Sequence, residues 1–93
     1  MFRVQNTTDQ NLTNVQAEGY NFGNLPVGAT TKYAKVEKLN SYPGTQFYIG
    51  TQSYSASIYM DLVANFLPPG KYTLIIYKDT LPGYPYNSIF NKE

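Results

Sequence analysis

None of the 93 residues of this chain is histidine or cysteine. That removes the commonest general base, the commonest metal ligand and every thiolate nucleophile. Covalent chemistry is left with a Ser–Lys scheme or a pair of carboxylates. The carboxylates are Asp9, Glu18, Glu37, Asp61, Asp79 and Glu93. No two stand at a short spacing, and Asp9 and Asp79 sit in turn-like sequence, where aspartate shapes the backbone. The reading is therefore a non-enzyme with no catalytic residue. A small hydrolase, built on carboxylates that the fold brings together, is the least favoured alternative.

Metal and cofactor sites are not expected either. Asp61, Asn65 and the polar turn Asn6–Asn11 carry oxygens suited to calcium. They do not form the D-x-[DN]-x-[DN]-G loop that calcium binding uses, and turn capping accounts for them.

The aromatic residues are the remaining chemical resource. Ten tyrosines and five phenylalanines make up 16% of the chain. Sugars present both C–H patches and hydroxyls, so a flat ring flanked by amides and hydroxyls matches them. Tyr84 and Tyr86, stiffened by Pro82 and Pro85, are the first ligand-binding candidates. Tyr20 and Phe22, in a glycine-bounded loop, and Tyr42 beside Pro43 follow. Tyr33, Tyr54 and Tyr72 fall on apolar faces of expected strands and read as core.

Charge is scarce: 14% of residues, net +1. Asn, Thr, Ser and Gln take its place. Lys32, Lys35 and Lys38 form the only local basic group, and on a strand they split between two faces. Nucleic acid, which needs a basic stripe, is not an expected partner. No apolar run approaches the roughly 20 residues of a membrane span.

The positioning elements read as β throughout. Leu25-Pro26-Val27-Gly28 and Leu67-Pro68-Pro69-Gly70 are proline-glycine turns, each followed by a β-favouring run. Tyr72 to Lys78 is the strongest strand, apolar on both faces and suited to the middle of a sheet. Phe2 to Gln5, Leu12 to Glu18, Thr30 to Leu39, Thr45 to Ile49, Ser53 to Met60 and Asn87 to Phe90 complete the set. Helix is the rival over residues 30–39. About seven short strands with regular turn signals predict one all-β domain over residues 1–93. The expected architecture is an antiparallel β-sandwich, immunoglobulin-like or transthyretin-like.

Phe22-Gly23-Asn24-Leu25-Pro26-Val27-Gly28-Ala29-Thr30-Thr31-Lys32-Tyr33 resembles a phrase in small exported β-sandwich proteins of Bacteroidetes, many of them lipoproteins of unknown function. There it follows an opening strand like Phe2–Asn6 and precedes a terminal strand like Pro69-Gly70-Lys71-Tyr72-Thr73. The likeness spans residues 2–79. It implies an exported protein at the cell surface, the outer membrane or the periplasm. It also implies a leader and a lipidated cysteine upstream of Phe2, so that membrane contact is through a lipid anchor alone. It implies no catalytic residue.

The expected function is binding or assembly through loops and edge strands, with a protein or glycan partner at the cell surface. A carbohydrate-binding accessory module is the alternative. Phe2–Gln5 carries a single charge, Arg3, and reads as an edge open to pairing into a homo-oligomer. Asn6-Thr7-Thr8 and Asn11-Leu12-Thr13 fit the N-glycosylation pattern, and in a bacterial protein they read as chance.

Overall fold

A computed structural model describes residues 1–36, 44–56, 67–79 and 85–93. Two of the candidate residues, Tyr42 and Tyr84, lie outside the described residues, as do Ile58, Met60, Asp61 and Asn65. The described residues form seven strands in two sheets and contain no helix.

The first sheet contains β1 (Phe2–Asn6), β6 (Tyr72–Lys78) and β7 (Tyr86–Lys92), in the order β1-β6-β7. The second contains β2 (Leu12–Ala17), β3 (Tyr20–Leu25), β4 (Thr45–Ile49) and β5 (Gln52–Ser55), in the order β3-β2-β4-β5. Alternate side chains of both sheets enter one core. Phe2 and Val4 on β1, Leu12 and Val15 on β2, Phe47 on β4, and Leu74 and Ile76 on β6 are all buried in it. Each such side chain contributes about 1.5–3 kcal/mol on leaving water, which makes dyad periodicity the main determinant of the fold. β6 lies between two strands, as its two apolar faces predict.

Turn chemistry sets the hairpins. Glu18 and Gly19, at φ 52° and 81°, make a two-residue type I′ turn between Ala17 and Tyr20. Gly50, at φ 61°, opens a II′ turn between Ile49 and Gln52. In the first proline-glycine phrase the Ala29 amide donates to the Pro26 carbonyl at 3.0 Å. Gly28 then supplies the positive φ of a type II turn, at 78°.

Four expectations need correction. The sandwich was expected to be antiparallel, yet β1 runs parallel to β6, pairing Phe2 with Tyr72 and Asn6 with Ile76. A pairing between the two ends of the chain leaves no local sequence signal. Nor is the second edge of β1 open. Residues 29–34 lie along it, with Phe2 and Ala34 exchanging amide-to-carbonyl bonds of 2.9 and 2.6 Å. Thr31 donates to the Val4 carbonyl at 2.8 Å and Asn6 to the Ala29 carbonyl at 3.0 Å. Assembly by strand addition to β1 is therefore blocked by the chain's own backbone. That same segment makes only isolated bridges, at Thr30 and Ala34, where a strand of its own was expected. Finally, the glycine-bounded loop at Tyr20–Leu25 is a strand. Two register shifts against β2 disguise the alternation, one on β2 beside Asn14 (φ 52°) and one on β3 between Asn21 and Gly23 (φ 73°).

Candidate functional site

Charge divides the two sheets. The four strands of the second sheet, of 6, 6, 5 and 4 residues, contain no Asp, Glu, Lys or Arg. Their outward side chains fall into two rows across the strands. One row is Thr13, Tyr48 and Ser53; the other is Asn21, Gln16, Gln46 and Ser55. Neighbours within a row stand about 5 Å apart and the rows about 7 Å apart, as strand geometry requires. All are exposed except the half-buried Thr13.

Tyr48 is the one ring in these rows. It is 40% exposed, and its hydroxyl makes no hydrogen bond to a described residue. Gln46 and Tyr48 point outward because Thr45 and Phe47, the alternate positions of β4, are fully buried. Phe47 anchors the strand from beneath by stacking on Tyr54 at 5.9 Å and meeting Tyr86 edge-on at 5.6 Å. Sequence reasoning passed over Tyr48. The alternation Thr45–Ile49, with Phe47 inward, was the signal that could have found it.

The other structured surface is ionic and lies on the first sheet. Tyr33 is 36% exposed, not on an apolar strand face as expected. The Arg3 guanidinium sits 5.1 Å and the Lys71 ammonium 5.5 Å from its ring centre. Its hydroxyl donates to Glu93 Oε1 at 2.5 Å. Arg3 Nε donates to Thr73 Oγ1 at 3.2 Å, and Thr73 donates onward to Glu93 Oε2 at 3.2 Å. Arg3 also lies 3.6 Å from Glu93 Oε1. These donors, with the Tyr33 hydroxyl foremost, hold the Glu93 carboxyl below its ordinary value. The same bond raises the Tyr33 hydroxyl. Every hydroxyl and carboxylate oxygen named here has a partner within the cluster, so the arrangement ties β1, β6 and the end of β7 together.

No protein-family model, curated protein or solved structure matches the chain.

The remaining candidates among the described residues have structural partners. Tyr86 was expected in a stiff exposed tail. It is 8% exposed, opens β7, and meets the rings of Phe47 at 5.6 Å and Tyr54 at 5.0 Å. Burial raises its hydroxyl above the ordinary value. Tyr20 is exposed, but its hydroxyl donates to the Lys35 carbonyl at 2.9 Å and its ring edge meets Phe2 at 6.4 Å. Phe22 is half-buried, 5.4 Å from the Phe2 ring. Both close over Phe2 from β3. A depression beside Met1, Val36, Leu67, Pro68 and Tyr72 opens to solvent. The Met1 amine donates to the Gly70 carbonyl at its rim, at 3.2 Å.

Proposed function

We propose that this chain is a non-enzymatic binding module of an exported protein, acting at the cell surface, the outer membrane or in the periplasm. The observation that carries the reading is the segregation of charge among the described strands: those of one sheet present an uncharged outer face around an exposed tyrosine, while Arg3, Lys78 and Lys92 lie on those of the other. The proposal extends to the fold type, an immunoglobulin-like or transthyretin-like sandwich. Two sheets of three and four strands around one core support that type.

Assembly through sheet edges is a second reading. It is favoured by β3 and β5, which bound the second sheet and carry no charge to deter pairing. The bulge at Gly23 and the four-residue length of β5 work against long pairing. Carbohydrate binding in an accessory role is the third, and exposed Tyr48 supports it in place of Tyr86.

Sedimentation velocity over a wide concentration range, beside a glycan array, tests the proposal. A concentration-dependent mass or specific array signals are the expected results. A strict monomer that retains no glycan overturns it.

A further inference from the structure

The uncharged face of the second sheet also narrows the class of partner. We infer that the Thr13–Tyr48–Ser53 and Asn21–Gln16–Gln46–Ser55 rows form a binding platform for a neutral polysaccharide, with the Tyr48 ring as its stacking surface. The inference rests on the binding-module reading and names the site and ligand class within it.

A nucleic acid or an acidic polymer needs cations to replace its counterions, and the four strands of this sheet carry none. A protein partner of ordinary affinity needs a cluster of apolar and aromatic anchors at the centre of its patch. These rows contain a single ring among amides and hydroxyls.

A neutral sugar chain makes the complementary demand. Each sugar ring offers a C–H face to a flat aromatic and a rim of hydroxyls to donors and acceptors. Gln16 and Gln46 supply both kinds of group in one side chain, and Ser53 and Ser55 supply hydroxyls. Asn21 and Thr13 frame the rows: the Asn21 amide donates to Asn14 Oδ1 and accepts from the Gly23 amide, and the Thr13 hydroxyl donates to the Tyr48 carbonyl. The pleat places Thr13 and Ser53 about 5 Å to either side of the ring and the second row about 7 Å along the strands from it. A surface built on strands needs little ordering on binding, which favours a rigid, repeating ligand. The Tyr48 hydroxyl, without a described partner, remains available to a sugar hydroxyl.

Native affinity electrophoresis of the intact chain tests this, with hydroxyethyl cellulose, mixed-linkage β-glucan or galactomannan in the gel and alginate as the acidic counterpart. At least one neutral polymer is expected to retard the protein, and alginate to retard it less. Tyr48→Ala is expected to weaken retardation by about tenfold, while Tyr48→Phe keeps most of it. Ser53→Arg, which crowds the ring without touching the core, is expected to give the same loss as Tyr48→Ala. Val27→Ser, on an exposed turn outside the rows, is the neutral control. Thermal melts of every variant should match the parent, since none of these side chains is buried.

Retardation unchanged by Tyr48→Ala and Ser53→Arg, or stronger with alginate, overturns the inference and leaves the binding-module reading standing. So does the absence of retardation by every neutral polymer when sedimentation still shows assembly. Absence of retardation in a strict monomer that is silent on the array removes both.

Discussion

Ser88 on β7 and Thr45 on β4 join the two sheets: their hydroxyl oxygens lie 3.0 Å apart, both fully buried. Ser88 also donates to the Ala56 carbonyl. One hydroxyl has one proton, so the shared bond must be Thr45 donating to Ser88. The Ala56 amide returns to the Thr45 carbonyl at 2.8 Å and closes the loop of contacts. Ser88→Ala removes an acceptor and a donor together. The expected cost is about 1–3 kcal/mol, read as a lower urea midpoint with an unchanged slope. Thr45→Val added to Ser88→Ala should cost less than the sum of the two single changes. Full additivity would show that the pair does not couple the sheets.

Asn6 is the second buried polar knot, and all of its hydrogen-bonding capacity is used. Its amide nitrogen donates to the Gln10 and Leu25 carbonyls at 2.8 and 2.9 Å. Its oxygen accepts from the Thr8 amide at 2.9 Å and the Thr8 hydroxyl at 2.6 Å. One side chain thus holds the end of β1, the polar turn after it and the end of β3. The Asn-Thr-Thr glycosylation pattern is accordingly closed in the folded protein, because Asn6 is fully buried.

Asn6→Ala strands several buried groups at once. It is expected to cost about 3 kcal/mol or more, lowering Tm by roughly 12–24 °C. Asn6→Asp keeps the acceptor for Thr8 but turns a carboxylate toward two carbonyls, so it should also destabilise, and less so at acid pH. Asn11→Ala, which removes a single exposed bond to the Val27 amide, is the contrast and should cost about 1 kcal/mol or less. Equal effects at positions 6 and 11 would refute the distinction.

Local chemistry was legible in the sequence, and long-range pairing was not. The alternation of β2, β4 and β6, the type II turn at Gly28 and the hairpin at Gly50 all follow from period and turn residues. β3 was hidden because Gly23 and the asparagines around it look like loop, and only pairing with β2 across a bulge makes them a strand. Residues 29–34 have strand-like composition, yet they serve as an edge cover for β1 and follow its course. Tyr33 and Tyr86 exchanged their expected environments for the same reason. Tyr33 follows that edge cover out to Arg3 and Glu93, while Tyr86 starts a strand and enters the core. Tyr48 was legible from the alternation on β4. What obscured it was the prominence of the proline-flanked tyrosines in the tail.

The Tyr33–Glu93 bond gives stability a signature at both ends of the pH scale. The folded Glu93 carboxyl lies below its ordinary 4.5, so its contribution is fully present above about pH 4.5 and is lost as pH falls through the folded value. The folded Tyr33 hydroxyl lies above its ordinary 10.0, so its contribution is present below pH 10 and is lost as pH rises through the folded value. Glu93→Gln should flatten both limbs of a plot of stability against pH, and Tyr33→Phe should do likewise. Denaturant midpoints across the acid and alkaline ranges make the comparison. Limbs that stay parallel to the wild type would mean the cluster adds nothing measurable, as many exposed ion pairs do.

Glu18 should tilt the acid range the other way. It sits at the type I′ turn, where burial raises its carboxyl and a hydrogen bond from the Gly44 backbone offsets part of the rise. A folded value above 4.5 means that the folded chain holds this proton longer than the unfolded chain does. Its favourable contribution is therefore complete below pH 4.5 and is lost as pH rises through the folded value. Glu18→Gln keeps an oxygen for the Gly44 amide and the same side-chain length at φ 52°, so the backbone cost of the turn cancels in the comparison. Only the titration is removed. The variant should gain stability over the wild type as pH rises above about 4.5, and the two curves should run parallel once Glu18 is fully ionised. Below pH 4.5 the difference should hold constant, while the Glu93 limb remains in both proteins. A gap that opens below pH 4.5, or a variant less stable at neutral pH, would show that the hydrogen bond outweighs burial at this carboxylate.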